Sequence, residues 1–406
     1  MAKKNSKKTV PDLRFRGFTD PWEQRQLGEV AEIVGGGTPD SSNADYWDGD
    51  IDWYTPSEIG ESRSVQTSAK KITREGLDHS SARLLPAGSI LFTSRASIGL
   101  MAFISRPSAT NQGFQSLVPS NNVDSNFLYA LGPYISRYAK KHAAGSTFIE
   151  ISGSSLAKAP LRIPSLAEQC RIGTFFSKLD SLIAAAERQE ALLRQKKQAY
   201  LQLMFPREGE TEPRLRFSGF NDAWKRIALR SVLKINEERN TASEFGFDKT
   251  ISVSTMRFKP EGNGAAHASL ETYRVLRVGD VAFEGNRHKE YPYGHVVIND
   301  IGDGLMSSRF RSFRPTQPIC VPFWKYLLQN RYIMTPLLLR STMRGTLMNE
   351  LVVDDFLKQR TPMPSLQEQL EIGDFFETLD RLIENVEGRI AQLRKMKSSY
   401  LQKLFV

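Results

Sequence analysis

The sequence predicts an α+β chain of two tandem globular domains of mixed α/β structure, each followed by a long helix. The two helices are expected to pair as an antiparallel coiled coil with pseudo-two-fold symmetry. Three observations carry this expectation. Pro164 to Phe205 aligns without gaps to Pro364 to Phe405 at an offset of 200, with 22 of 42 positions identical. A shorter landmark, LRFRGFTDPW from Leu13 to Trp22, returns as LRFSGFNDAW from Leu215 to Trp224 at an offset of 202. Both copies of the longer repeat also space their apolar residues in a 4-3 alternation, which keeps one stripe of a helix turned toward a partner helix.

Each half therefore runs from an opening motif through a variable region into a helix. The expected boundaries are a basic tail at 1–10, a first domain at 11–163, a central helix at 164–206, a linker at 207–212, a second domain at 213–363 and a C-terminal helix at 364–406. A length of 406 residues exceeds what one ordinary core accommodates, so division into domains is expected on size alone.

Each helix opens with proline, then serine, then glutamate three residues on: Ser165 with Glu168, and Ser365 with Glu368. That is a capping box. The seam of the first helix is Leu179, Ile183, Ala186, Leu193, Tyr200 and Met204, and that of the second is Leu379, Ile383, Val386, Ile390, Leu393, Tyr400 and Leu404. Glu190, Lys197 and Lys397 interrupt it with polar groups that either select the register or are merely tolerated. Two helices this long are each other's natural partners and would hold the variable domains at opposite ends of a rod; the alternative is that each packs on its own domain. Gly173 and Gly373, beside Phe175, Phe176, Phe375 and Phe376, read as close aromatic packing in the core.

Between these landmarks the halves differ, although LLPAGSILF (Leu84 to Phe92) and VLRVGDVAF (Val275 to Phe283) share a turn that leads into an apolar strand. One scaffold with two different surfaces suits two modules doing the same work on different targets.

The net charge of +10 is unevenly placed. Residues 213–365 hold 23 basic and 15 acidic side chains, the kind of excess that supplies sequence-independent affinity for nucleic acid. Lys3, Lys4, Lys7 and Lys8 sit in a tail expected to be a solvated basic arm. No apolar run is long enough for a membrane span and no signal peptide is visible, so a cytoplasmic protein without a membrane partner is expected. Cys170 and Cys320 have no redox or metal spacing and are expected to be buried or inert.

Catalytic signatures are missing from the sequence. No Pro-Pro dipeptide is present to build an NPPF or DPPY motif, and no Gly-Lys dipeptide is present to build a phosphate-binding loop. His79, His142, His267, His288 and His295 lack metal-ligand spacing. The Gly35-Gly36-Gly37 run lacks the strand, helix and downstream acid of a dinucleotide site and reads as a loop. Tyr46, Trp47, Trp53 and Tyr54, interleaved with Asp45, Asp48, Asp50 and Asp52, read as fold-defining aromatics, because acid beside phosphate would repel.

At PSLAEQCRIGTFFSKLD and PSLQEQLEIGDFFETLD the chain resembles the specificity subunits of type I restriction-modification systems, and the resemblance spans nearly the whole sequence. GGGTPDSSNADYWDGDIDWYTPSEI (Gly35 to Ile59), FTSRASIG (Phe92 to Gly99), ATNQGF (Ala109 to Phe114), GNRHKEYPYGHVVI (Gly285 to Ile298) and LMSSRFRSF (Leu305 to Phe313) are similar in kind. The resemblance implies a non-catalytic subunit whose two target-recognition domains read a bipartite site in double-stranded DNA. It implies as partners two copies of an adenine-methylating modification subunit, together with restriction subunits that translocate and cut. This chain would bind no cofactor; S-adenosylmethionine, ATP and Mg would belong to the partners. The rival readings are a coiled-coil scaffold, a non-specific DNA-binding protein and an enzyme with unrecognised motifs.

Base edges are read by Arg, Lys, Asn and Gln, while other basic and polar groups hold phosphate. The candidates in the first domain are Arg63, Lys70, Lys71, Arg95, Asn111 and Gln112, with Arg95 equally able to brace its strand turn. In the second they are Arg257, Lys259, Arg287, His288, Lys289, Arg309 and Arg311, the last two spaced to share one face of a strand.

Overall fold

The computed structural model describes residues 10–60, 62–145, 149–261 and 267–405, with the side chains of 267 and 268 left aside. Lys3, Lys4, Lys7 and Lys8 lie outside the described residues. The chain forms two units, 1–188 with 387–406, and 189–386. The division falls within the long helices, Leu166–Leu203 and Leu366–Lys403, so each unit contains the start of one and the end of the other.

In the first unit a five-stranded sheet runs in the order Ala31–Gly35, Gln115–Pro119, Ile90–Phe92, Met101–Ile104, Ser64–Val65. Period-two alternation buries both of its faces. Ile90, Phe92 and Leu117 pack on the helices Ser125–Ala130 and Gly132–His142, whereas Leu91, Ala102 and Ile104 pack against Tyr54 and Phe114. A smaller sheet pairs Lys70–Ile72, Trp47–Tyr54 and Ser108–Thr110. Trp53 and Tyr54 are buried, Trp47 meets Trp53 edge to face at 5.1 Å, and Trp53 Nε1 donates to the Gly37 carbonyl at 2.8 Å.

The second unit repeats the plan. Its sheet order is Leu233–Ile235, Arg311–Pro315, Val281–Glu284, His295–Ile298. Val281, Phe283 and Phe313 face the helices Val321–Gln329 and Arg331–Leu339, while Ala282 and Val297 face Ile251, Leu276 and Met306. The turn shared by the two variable regions requires glycine: Gly88 and Gly279 have φ of +84° and +88°, which side chains with a Cβ rarely adopt. Their amides close equivalent bonds to Ile104 O at 2.9 Å and Asn299 O at 2.8 Å.

The helix ends match contact for contact. In the first unit Phe175 meets Tyr400 at 5.0 Å and Lys397 pairs with Asp180 at 2.6 Å; in the second Tyr200 meets Phe375 at 5.0 Å and Lys197 pairs with Asp380 at 2.5 Å. Rising numbers on one helix meet falling numbers on the other, so the pairing is antiparallel within each unit. Leu179, Ile183, Ala186, Leu379, Ile383, Val386 and Ile390 are buried, and Leu193, Tyr200, Leu393 and Tyr400 are half-buried. The helices also pack on their own domains, through Ile172 and Phe176 in one unit and Ile372 and Phe376 in the other. Both partners foreseen for them are therefore used at once.

One expectation about the helix starts is corrected. Ser165 and Ser365 do cap their helices, accepting from the amides of Glu168 and Glu368 at 3.4 and 3.3 Å. The glutamates, however, turn away to bind Arg14 and Arg216 of the opening motifs. Cys320 is buried and Cys170 is exposed on the outer face of its helix, where desolvation and Asp124 push its thiol above the usual range.

Candidate nucleic-acid interface

Sheet register gathers most of the candidates. In the first unit Gly35 lies opposite Gln115, and Phe92 lies opposite Met101. One end of the sheet thus collects the Gly35–Gly37 turn, the loop from Thr93 to Leu100 and the segment before Gln115, so Arg95, Asn111 and Gln112 emerge together. The glycines permit the approach: a Cβ on Gly36 would sit 2.0 Å from the Asn111 carbonyl, and one on Gly37 would sit 2.3 Å from the Ala82 nitrogen. Gln112 accepts from the Thr38 hydroxyl at 2.5 Å, and Asn111 Oδ1 accepts from the Gly113 amide at 2.8 Å. Ala96, next to half-buried Arg95, has φ of +59°, a strained conformation of the sort that clusters in functional loops.

The second unit presents the same end. Phe283 lies opposite both Arg311 and Val296, and Ile235 lies opposite Phe313. The loop 285–294 with Arg287, His288 and Lys289, the turn with Arg309, and the chain leaving Ile235 therefore share one edge. A hairpin missed in the sequence, Thr342–Arg344 with Asn349–Leu351, braces this loop. Arg287 donates to the Gly345 carbonyl at 2.5 Å, and Asn349 donates to the Pro292 carbonyl at 2.8 Å. Ser254 bonds the buried Glu284, whose carboxyl burial pushes up, so the hairpin whose second strand carries Arg257, with Lys259 just beyond it, reaches the same end. Met256, in the turn of that hairpin, has φ of +44°.

Other candidates are placed differently. Arg63 is engaged inside its unit: it ion-pairs with Asp180, donates to Asn126 Oδ1 at 2.7 Å and lies 4.4 Å over the Tyr129 ring. It fastens the variable region to the central helix, which removes it from base reading. Lys71 lies 3.9 Å from buried Asp52, and Lys70 lies 5.6 Å over Trp47. Arg309 occupies the turn before the strand that begins at Arg311, so the two do not share a strand face. His295 is stacked on Tyr291 at 4.2 Å, and desolvation holds its pKa below the ordinary histidine range. Among the described residues no group of acidic, His and Cys side chains could hold a metal, and no helix is long and apolar enough to cross a membrane.

Comparison with known proteins agrees with this architecture. The family described as "Type I restriction modification DNA specificity domain" matches residues 19–195 and 221–395, one match for each half. The type I restriction enzyme MjaIX specificity subunit of Methanocaldococcus jannaschii is 27% identical over 412 aligned residues, covering 94% of this chain and 92% of that protein. The type I restriction-modification S subunit from M. genitalium shares the fold with a TM-score of 0.61 at 13% identity, covering 98% of this chain and 99% of that one. A chain from a structural study of type I R-M complex assembly and conformational transition aligns with a TM-score of 0.55 at 16% identity, covering 96% and 99%. With two tandem recognition modules and a family match to each half, the chain belongs to the type I restriction-modification DNA specificity family and is the specificity subunit of such a system.

Proposed function

We propose that the loops at the equivalent sheet ends read the two parts of one bipartite target in double-stranded DNA. Arg95, Asn111 and Gln112 would serve the first part, and Arg257, Lys259, Arg287, His288, Lys289, Arg309 and Arg311 the second. The observation that carries this reading is the shared order of four equivalent strands in the two sheets, the first of which adds a fifth at its edge, combined with different polar side chains on matching loops. Base-edge hydrogen bonds would supply discrimination, while the basic excess of the second domain would supply salt-dependent affinity.

The chain would dock two copies of a methyltransferase subunit, since contact-for-contact repetition of the helix ends offers the same surface twice, and restriction subunits would join that assembly. S-adenosylmethionine, ATP and Mg would be bound by those partners, in the cytoplasm. The test is the genome-wide adenine-methylation pattern of the source cell with and without this gene. Loss of one two-part motif with a fixed gap is the expected result. An unchanged pattern, with the chain and its modification subunit both present, would overturn the reading in favour of a scaffold.

A further inference from the structure

Covered arginines in the second unit are generally matched to carboxylates: Arg216 to Glu368, Arg277 to Glu238, Glu244 and Asp303, and Arg314 to Glu238 and Asp280. Arg274 departs from that pattern. It is only 5% exposed, one of its guanidinium nitrogens donates to the Asn236 carbonyl at 2.7 Å, and its Nε has no partner among the described residues.

Its charged surroundings are mostly of its own sign. Arg239 forms a backbone bridge opposite Arg274 and is held by a 2.7 Å bond to the Thr272 carbonyl. Arg311 precedes Ser312, whose hydroxyl shares the Asn236 carbonyl with Arg274. Burial first, then Arg239 and Arg311, disfavour the charge on Arg274, and the opposing acid is the exposed Glu237, with the weakest influence of the four. No carboxylate lies within ion-pair distance of these three arginines among the described residues.

A covered guanidinium beside two others, without a counter-anion, is costly unless an anion arrives from outside. Guanidinium forks suit phosphate oxygens, and Arg239 and Arg311 are exposed at the sheet end that carries the 285–294 loop. We propose that Arg239, Arg274 and Arg311 together seat a backbone phosphate of duplex DNA and so set the register of the second domain on its half of the target. This rests on the reading of the chain as a duplex-DNA reader, and it moves Arg311 from base reading to a contact that fixes position without reading sequence.

The test measures binding of the full-length chain to a mixed-sequence duplex of about 30 base pairs across a salt series. Arg239→Gln/Arg311→Gln alters exposed positions only, and Arg274→Lys keeps the charge while removing the fork; circular dichroism checks the fold of both. The double variant is expected to flatten the slope of log K against log salt by about 1 and to weaken binding alike on every duplex. An unchanged slope, with the wild type binding normally, overturns the phosphate seat and leaves the DNA reading intact. Loss confined to one sequence would reveal a base contact instead, and loss of the methyltransferase subunit with DNA binding unaltered would reveal a protein-docking surface; either overturns the proposal. A wild-type chain that binds no duplex would bring down the DNA reading as well.

Discussion

The guanidinium of Arg14 lies against the carboxylate of Glu168 in two parallel hydrogen bonds of 2.8 and 2.7 Å, joining the opening motif to the first turn of the central helix. Arg216 repeats the arrangement on Glu368 at 2.7 and 2.8 Å. Both glutamates are 1% exposed. Removing one partner of a buried pair leaves the other charged and unsolvated, at a cost of about 3–5 kcal/mol. Arg14→Ala should therefore lower hydrogen-exchange protection of the first turns of the central helix by about that amount, and Arg14→Ala/Glu168→Leu should recover part of it. A single-variant loss below about 1 kcal/mol would show that the pair is dispensable.

Phe205 is 2% exposed and sits among Trp224, Phe323 and Phe376, at centroid distances of 5.9, 5.6 and 6.2 Å. Its counterpart Phe405 meets Trp22, Phe127 and Phe176 but is only half-buried. Phe205→Ala should cost about 3–5 kcal/mol in the second unit, and Phe405→Ala measurably less in the first. Urea denaturation with tryptophan fluorescence compares them, since Trp224 and Trp22 report on the two sites; equal losses would contradict the packing difference.

The seam lysines make a testable pair. Lys197 reaches Asp380, and Lys397 reaches Asp180, at equivalent positions. Lys197→Asp should place like charges together and destabilise the second unit, and Lys197→Asp/Asp380→Lys should restore most of the loss. A double variant no more stable than the single one would show that the salt bridge does not select the register.

Asp52 gives a pH dependence of known sign. Burial pushes its carboxyl up, but hydrogen bonds from Arg106, Ser68 and Thr67 outweigh that and hold it below the usual carboxylate range. The unfolded chain thus takes up this proton more readily, so the stabilisation is complete above the unfolded value of about 3.9 and is lost as pH falls through the folded value. Asp52→Asn should lower the melting temperature at pH 7, with the gap from wild type closing as pH drops toward 3. A gap independent of pH would refute this role for the carboxylate.

Much of the architecture was legible because it repeats. The helices, their starting serines, the antiparallel seam and the Gly88 and Gly279 turns follow from spacing and residue type. What escaped notice depends on partners distant in sequence. The Glu168 capping box reads as local, yet Arg14 lies 154 residues away; Arg63 reads as a free cation, yet Asp180 lies 117 residues away. Arg274, an ordinary arginine in an apolar strand, gained meaning only when the fold set Arg239 and Arg311 beside it.

The Leu13 amide donates to the Lys403 carbonyl at 2.9 Å, as the Leu215 amide donates to the Leu203 carbonyl at 2.9 Å. At the second of these places the backbone runs straight on; at the first it does not. The same backbone clasp thus closes both units, once across a short connector and once between segments remote in sequence, so one local geometry serves a near link and a distant one alike.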